Sequence, residues 1–167
     1  DASIYQMNEE IESAVQAIQQ QAEELGYHIA GMAPFGVSAG GTLAMNLAYN
    51  ENSAIPVRFV FQVAAPTCFE PSEWSLLMKV DGLTSEGDFC KMMTGKELDD
   101  YTLDIQRISP AGIVTDDSVP SLIAYGRIDH CVPVSQKYYL MDAYDLHNVP
   151  YDYIEFPNSN HGMYNDI

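Results

Sequence analysis

Positive charge is scarce in this chain: its 167 residues hold seven Lys and Arg against 24 Asp and Glu, a net charge of −17. Nucleic-acid binding rests on basic side chains neutralising phosphates, so nucleic acid is excluded as a partner. An anionic lipid surface would be repelled in the same way. Cysteine is sparse too. Cys68, Cys90 and Cys131 stand far apart without C-x-x-C spacing, and their odd number argues against a complete disulfide framework. They read as buried or idle thiols, with a Cys68–Cys90 bridge left open for an oxidising compartment. No apolar run is long enough to span a bilayer. No basic n-region precedes an apolar core, so no signal peptide is visible and a cytoplasmic location is expected. The chain starts at Asp1 rather than Met, so its beginning reads as trimmed. H-E-x-x-H is missing, and the histidines and cysteines lack zinc spacing; neither a metal nor an organic cofactor is expected.

What is present is a soluble globular composition. Apolar residues make up 47% of the chain, too many for disorder, and the length suits one domain. Met7, Ile11, Ala14, Val15, Ile18, Ala22 and Leu25 recur at helical spacing on one face, and Gly26 follows where a C-terminal glycine belongs. Ile29 to Phe35 reads as a buried strand, weakened by Gly31 and Pro34. A helix is expected from Ala39 to about Ala48. Val57 to Ala64 is a nearly continuous apolar strand of the kind covered on both faces. Residues 66–118 are irregular, with short helices expected around Trp74–Met78 and Asp88–Met93. Ser121–Tyr125 and Tyr151–Phe156 read as strands, with a helix at Val134–Leu146 between them. This alternation predicts a parallel sheet flanked by helices, in one domain over 1–167 with an insertion at about 66–108.

Sheets of this kind place ligands beyond the carboxyl ends of their strands. Gly36-Val37-Ser38-Ala39-Gly40-Gly41 matches G-x-S-x-G between a strand and a helix. A Cβ at either flanking glycine is expected to clash where the chain reverses. The turn would expose the Ser38 hydroxyl and set the Ala39 N–H beside it as an oxyanion donor. There is no Walker lysine, so a phosphate cradle is disfavoured. A serine nucleophile needs a base, and the base needs an orienting acid. His28 precedes the first strand, His147 ends a helix, and His130 adjoins Asp129 but would point elsewhere. His161, after the last strand and before Gly162, sits at the correct end, and Gly162 would let its loop turn tightly. Asp129 follows the third strand. Asp116 and Asp117 belong to the opposite end, and Asp104, inside the insertion, stays open as a competitor. Ser38, His161 and Asp129 are therefore the candidate nucleophile, base and acid.

These motifs together carry a resemblance. Gly36-Val37-Ser38-Ala39-Gly40-Gly41 resembles the GxSAGG elbow of α/β-hydrolases of the acetyl-esterase and hormone-sensitive-lipase type. Ser109-Pro110, Val119 to Ile123, Gly126, Asp129, Val132-Pro133 and Gln136 resemble their stretch up to the acid, and Asn160-His161-Gly162 their histidine loop. The order Ser, Asp, His is that family's order. The resemblance implies a three-layer α/β/α fold, a small-molecule ester as substrate, and cleavage through an acyl-enzyme without cofactor. It also implies that this chain supplies the last four of eight strands. The early strands and the HGG-type oxyanion loop have no counterpart. The first strand would then have an unpaired edge, so poor stability or self-association is expected of the isolated chain. Phe69, Trp74, Phe89 and the methionines of the insertion correspond to a cap beside the acyl site. Two rival readings are a serine peptidase of prolyl-oligopeptidase type and a non-catalytic hydrolase-like module; Ala39-Gly40-Gly41 favours the esterase.

Overall fold

The computed structural model describes residues 2–50, 53–97 and 99–166. Helix α1 (Ile4–Glu24) starts at Ser3, whose hydroxyl accepts the Gln6 N–H at 3.2 Å. That bond satisfies one of the unpaired donors of a helix start. Beyond α1, Gly26 takes a left-handed φ of 82°. Strand β1 (Phe35–Val37) runs into α2 (Ala39–Ala48), and β2 (Val60–Val63) follows. A 3-10 turn (Pro71–Trp74) and helices α3 (Ser75–Val80), α4 (Glu86–Thr94), α5 (Thr102–Ile108) and α6 (Pro110–Ile113) fill the middle. Then come β3 (Ser121–Gly126), α7 (Gln136–His147) and β4 (Tyr151–Phe156).

The strands form one sheet in the order β1-β2-β3-β4, every pair parallel. Val37 pairs with Val63, Val63 with Ala124 and Ala124 with Ile154, so the carboxyl ends of all four strands lie along one rim. The expected α/β class is therefore present: a parallel sheet flanked by helices. One core cluster joins Met45 and Ala48 of α2, Leu140 and Tyr144 of α7, and Val60 and Ile123 of the sheet. A second joins Ile4 of α1, Phe69, Trp74, Phe89, Ile105 and Ile108 to Tyr125 of β3. Each fully buried side chain of this size contributes roughly 1.5–3 kcal/mol.

Several expectations need correction. The segment 29–35 is not a buried strand. Only Phe35–Val37 pairs as one, preceded by a lone bridge from Met32 to Val57, and Phe35 is 60% exposed. Pro34 has no N–H to offer a ladder, so pairing begins after it. The second strand is shorter than 57–64, spanning Val60–Val63, and alternates in burial rather than being covered on both faces, with Phe59 just before it exposed. The apolar stripe of α1 is only partly covered: Val15 packs against Leu47 and Ile55, whereas Ile18 and Leu25 face solvent. Cys68 and Cys90 are free thiols, not a bridge, as is Cys131. Among the described residues no helix is long and apolar enough to cross a membrane.

The elbow glycines are not equivalent, contrary to the sequence expectation. A Cβ on Gly36 would lie 2.1 Å from the Gly40 carbonyl oxygen, and one on Gly41 2.7 Å from the Ala65 methyl. A Cβ on Gly40 meets nothing within 4 Å. Gly36→Ala is therefore expected to cost about 3 kcal/mol or more, because backbone cannot yield. Gly40→Ala should change stability by less than about 1 kcal/mol. Thermal melts of the two variants check this, and equal losses would mean that the close approach of Gly36 to the helix is wrong.

Candidate functional site

Ser38 stands between the last residue of β1 and the first of α2, with φ 54° and ψ −129°. Only a chain that reverses within one residue needs such angles, and L-residues adopt them at a cost. Two contacts hold the reversal. The Ser38 N–H donates to the Val63 carbonyl at 2.8 Å, and the Gly41 N–H donates to the Ser38 carbonyl at 2.9 Å. Ala39 opens α2, so its N–H belongs to the first turn, whose donors have no acceptor within the helix.

Asp129 follows β3 by three residues and is buried, its carboxylate fully removed from solvent. Oδ1 accepts from the Cys131 and Val132 backbone N–H groups at 2.8 and 3.0 Å. Oδ2 lies 2.8 Å from Nδ1 of His161. The two amides thus fix the carboxylate, and the carboxylate fixes the ring, leaving Nε2 as the free nitrogen. His161 and Asp129, 32 residues apart in sequence, are brought together. Ser38 shares their rim of the sheet. Its hydroxyl makes no hydrogen bond to His161 in this conformation, and such bonds commonly tighten only with substrate in place.

The loop carrying His161 is held from two sides. The Ile128 N–H donates to the Ser159 carbonyl at 3.2 Å, and a Cβ on Gly126 would come within 2.5 Å of the Ser159 and Asn160 carbonyl oxygens. Gly126 therefore lets the acid loop and the histidine loop touch. On the far side the Asp166 carboxylate accepts from the Asn158 N–H, the Asn158 amide and the Ser159 hydroxyl at 3.0, 2.8 and 2.6 Å. These bonds hold its carboxyl below the usual range, the Ser159 hydroxyl contributing most. Sequence reasoning missed this clasp, although the Asn-Ser-Asn composition before His161 is the kind that bonds its own backbone. Gly162 lies in the turn, where a Cβ would come within 2.2 Å of the Tyr164 ring. The next residue, Met163, takes a left-handed φ of 58° and is buried at 5% exposure, which the sequence reading did not foresee.

The rival acids and histidines are engaged elsewhere. Asp104 accepts from the Tyr5 hydroxyl at 2.7 Å and pairs with Lys96 at 2.5 Å. Asp116 lies 2.6 Å from Nδ1 of His147. His130 is exposed, and it is Nδ1 of His161 that lies against the Asp129 carboxylate.

Beside Ser38 and Ala39 opens a cavity of about 360 Å³, walled by Phe69, Trp74, Leu77 and Met93. Ile4 and Met7 of α1 complete it, a role that helical periodicity alone did not assign. Phe69 stacks on Trp74 at 5.9 Å and Trp74 on Phe89 at 6.5 Å, so these aromatics serve core and wall together. The wall is pinned by polar groups. The buried Gln136 side chain accepts the Thr67 and Cys68 N–H groups at 2.8 Å each, and Ser109 Oγ accepts the Phe69 N–H at 2.9 Å. Cys131 also lines the cavity, and its Sγ lies within 4.8 Å of donor atoms of both Asp129 and His161. Cys131 is thus the side chain common to the Ser38 cavity and the acid–histidine cluster.

Next to the acid loop, buried Lys137 donates to Tyr153 at 2.8 Å and to Glu155 at 3.0 Å, and Arg127 joins Glu155 at 2.6 Å. Lys137, then Arg127, pull the Glu155 carboxyl down to about 2. A folded value below the unfolded one of 4.5 means the stabilisation is complete above pH 4.5 and fades as pH falls towards 2. Glu155→Gln leaves the 4%-exposed Lys137 ammonium without its counter-ion and should cost about 2 kcal/mol near pH 7. Melts of both proteins from pH 7 to pH 2 check this. The gap should close at the acid end, and a gap independent of pH would contradict the ion pair.

The BD-FAE family model matches residues 1–144, a span that includes Ser38 and Asp129 and stops short of His161. Among solved structures, a truncated form of a carbohydrate esterase from gut microbiota is 17% identical, with a TM-score of 0.74 over 94% of this chain and 61% of that one. A thermophilic esterase from Thermogutta terrifontis with butyrate bound is 19% identical, TM-score 0.71, over 98% and 58%. A carboxylesterase from Lactobacillus plantarum is 16% identical, TM-score 0.70, over 97% and 57%. At these identities the likeness is one of fold, and the chain spans about three fifths of each neighbour. Comparison with curated protein sequences gives no match.

Proposed function

Since the chain belongs to the BD-FAE family and has the α/β-hydrolase fold of its esterase neighbours, we propose that it cleaves carboxylic esters of short acyl chain through Ser38, His161 and Asp129. The observation that carries this reading is the Asp129–His161 pair at 2.8 Å, held by two backbone amides on the rim where the Ser38 elbow emerges. His161 Nε2 takes the hydroxyl proton as Ser38 Oγ attacks the ester carbonyl. Asp129 keeps the other ring proton on Nδ1 and stabilises the positive ring. The Ala39 N–H donates to the developing oxyanion. His161 then protonates the leaving alcohol, and water attacks the acyl-enzyme by the reverse path to release the acid. The acyl group occupies the apolar cavity beside Ser38, walled by Phe69, Trp74, Leu77 and Met93; the neighbour from Thermogutta terrifontis has butyrate bound, a short acyl group of the kind proposed here.

Residues 66–108 act as a cap-like insertion in this single domain, because Pro66, Phe69, Trp74, Leu77 and Met93 wall the cavity. The open edge of β1, with Phe35 and Val37 exposed, makes self-association of the isolated chain the expected behaviour. The test of function is labelling with a fluorophosphonate. The wild-type chain should be labelled and Ser38→Ala should not; equal labelling would remove Ser38 from the chemistry. Turnover of p-nitrophenyl acetate but not of an aminoacyl anilide would separate esterase from peptidase.

A further inference from the structure

We propose that Cys131, His161 and Asp129 form an inhibitory site for a thiophilic divalent cation, Zn²⁺ foremost, which switches the hydrolytic centre off. The inhibitory half of this proposal rests on His161 being the base. The site itself rests on geometry. One donor atom from each of the three side chains lies within 4.8 Å of the others: a thiol sulfur, an imidazole nitrogen and a carboxylate oxygen. Those are the three donor types zinc takes, and three protein ligands with a water as fourth is an ordinary zinc arrangement. Sequence spacing hid the set, because His161 arrives from another strand. The donors also differ in exposure in a useful order. Asp129 is buried and fixed through Oδ1, His161 is partly covered, and Cys131 is exposed. Cys131 and Asp129 both line a second cavity of about 500 Å³, which gives a hydrated ion room to approach.

The proton balance explains the inhibition. In the free protein Nδ1–H donates to Asp129 Oδ2 across 2.8 Å. The cation takes that proton's place between Nδ1 and Oδ2 and bonds Cys131 Sγ as thiolate. The thiol proton passes to solvent. The ring stays neutral, so its one proton now resides on Nε2. Nε2 is the atom that must accept the Ser38 proton, and with its own proton attached it cannot. The thiolate and the carboxylate together match the 2+ charge, so the filled site is neutral where the free site carried the single negative charge of Asp129. Mg²⁺ and Ca²⁺, which prefer oxygen ligands, should leave the enzyme alone.

Two measurements decide the matter separately. The first needs no turnover. Cobalt(II), a spectroscopic stand-in for zinc, is titrated into the full chain and into Ser38→Ala. Both should develop a near-ultraviolet thiolate-to-cobalt band, displaced by Zn²⁺, and Cys131→Ser and Cys131→Ala should not. The second is hydrolysis of p-nitrophenyl acetate with rising Zn²⁺. Wild type should lose activity, reversibly by chelator, and the Cys131 variants should need about ten-fold more metal or beyond, as expected when one ligand is removed. Circular dichroism shows whether each variant is folded. A folded wild type without the thiolate band, or equal zinc sensitivity with and without Cys131, overturns the proposal. A protein that shows the band but hydrolyses no ester keeps the metal site and defeats the hydrolase reading, and with it the switch.

Discussion

Replacing Ser38 with glycine is expected to silence hydrolysis and raise the melting temperature in one step. The first effect follows from the proposed chemistry: without the hydroxyl there is no acyl-enzyme, and loss of such a nucleophile removes between about 10⁴ and 10⁶ of the rate. The second follows from the backbone. Ser38 sits at φ 54° and ψ −129°, where a Cβ is crowded and glycine is not. Strain of this kind is worth roughly 1–3 kcal/mol, and the extra freedom of glycine in the unfolded chain returns about 0.5–1 kcal/mol of it. The net gain of about 1 kcal/mol should appear as a rise of about 2–4 °C. Ser38→Ala keeps the Cβ and should lose activity without gaining stability. Steady-state rates and melts of the three proteins make the comparison. Retained activity in either variant would end the nucleophile assignment; a lower melting temperature for the glycine variant would show that the elbow is not strained.

Which parts of this fold could be read from sequence depends on how local the deciding forces are. Tyr151–Phe156 is a strand between the bounds expected, because an alternating aromatic run flanked by Pro150 and Pro157 states its own limits. Ser121–Tyr125 was legible as a short apolar run between Pro120 and Gly126, and gained only Gly126. The segment 29–35 was not, because its apolar content signalled burial while its pairing is set by Pro34 and by one neighbouring strand. Helix α5 went unseen: seven residues give too few turns for periodicity, and its hold comes from Ile105 and Ile108 in a core assembled by distant segments. In the site, the elbow and the acid could be proposed from motifs. The requirement for Gly36 but not Gly40, the Asp166 clasp and the closeness of Cys131 to His161 are facts of tertiary packing, and no run of neighbouring residues encodes them.

Asp129→Asn should cost about 10⁴ in kcat while leaving the fold nearly untouched. The two halves of that expectation come from the two oxygens of one carboxylate. Oδ1 accepts the Cys131 and Val132 amides, and an asparagine carbonyl oxygen can do the same. The asparagine NH₂ then occupies the place of Oδ2, 2.8 Å from the ring. It can only donate, so Nδ1 must become an acceptor and the ring proton must move to Nε2. That tautomer points a proton at Ser38 instead of a lone pair. The variant should therefore melt within a few degrees of wild type yet turn over ester barely at all. Asp129→Ala provides the contrast. It strips the buried Val132 amide and the part-buried Cys131 amide of their acceptor, at about 1–3 kcal/mol for the buried one, and should be visibly less stable. Hydrolysis at the wild-type rate by a folded Asp129→Asn protein would mean that this carboxylate holds the loop and takes no part in orienting the base.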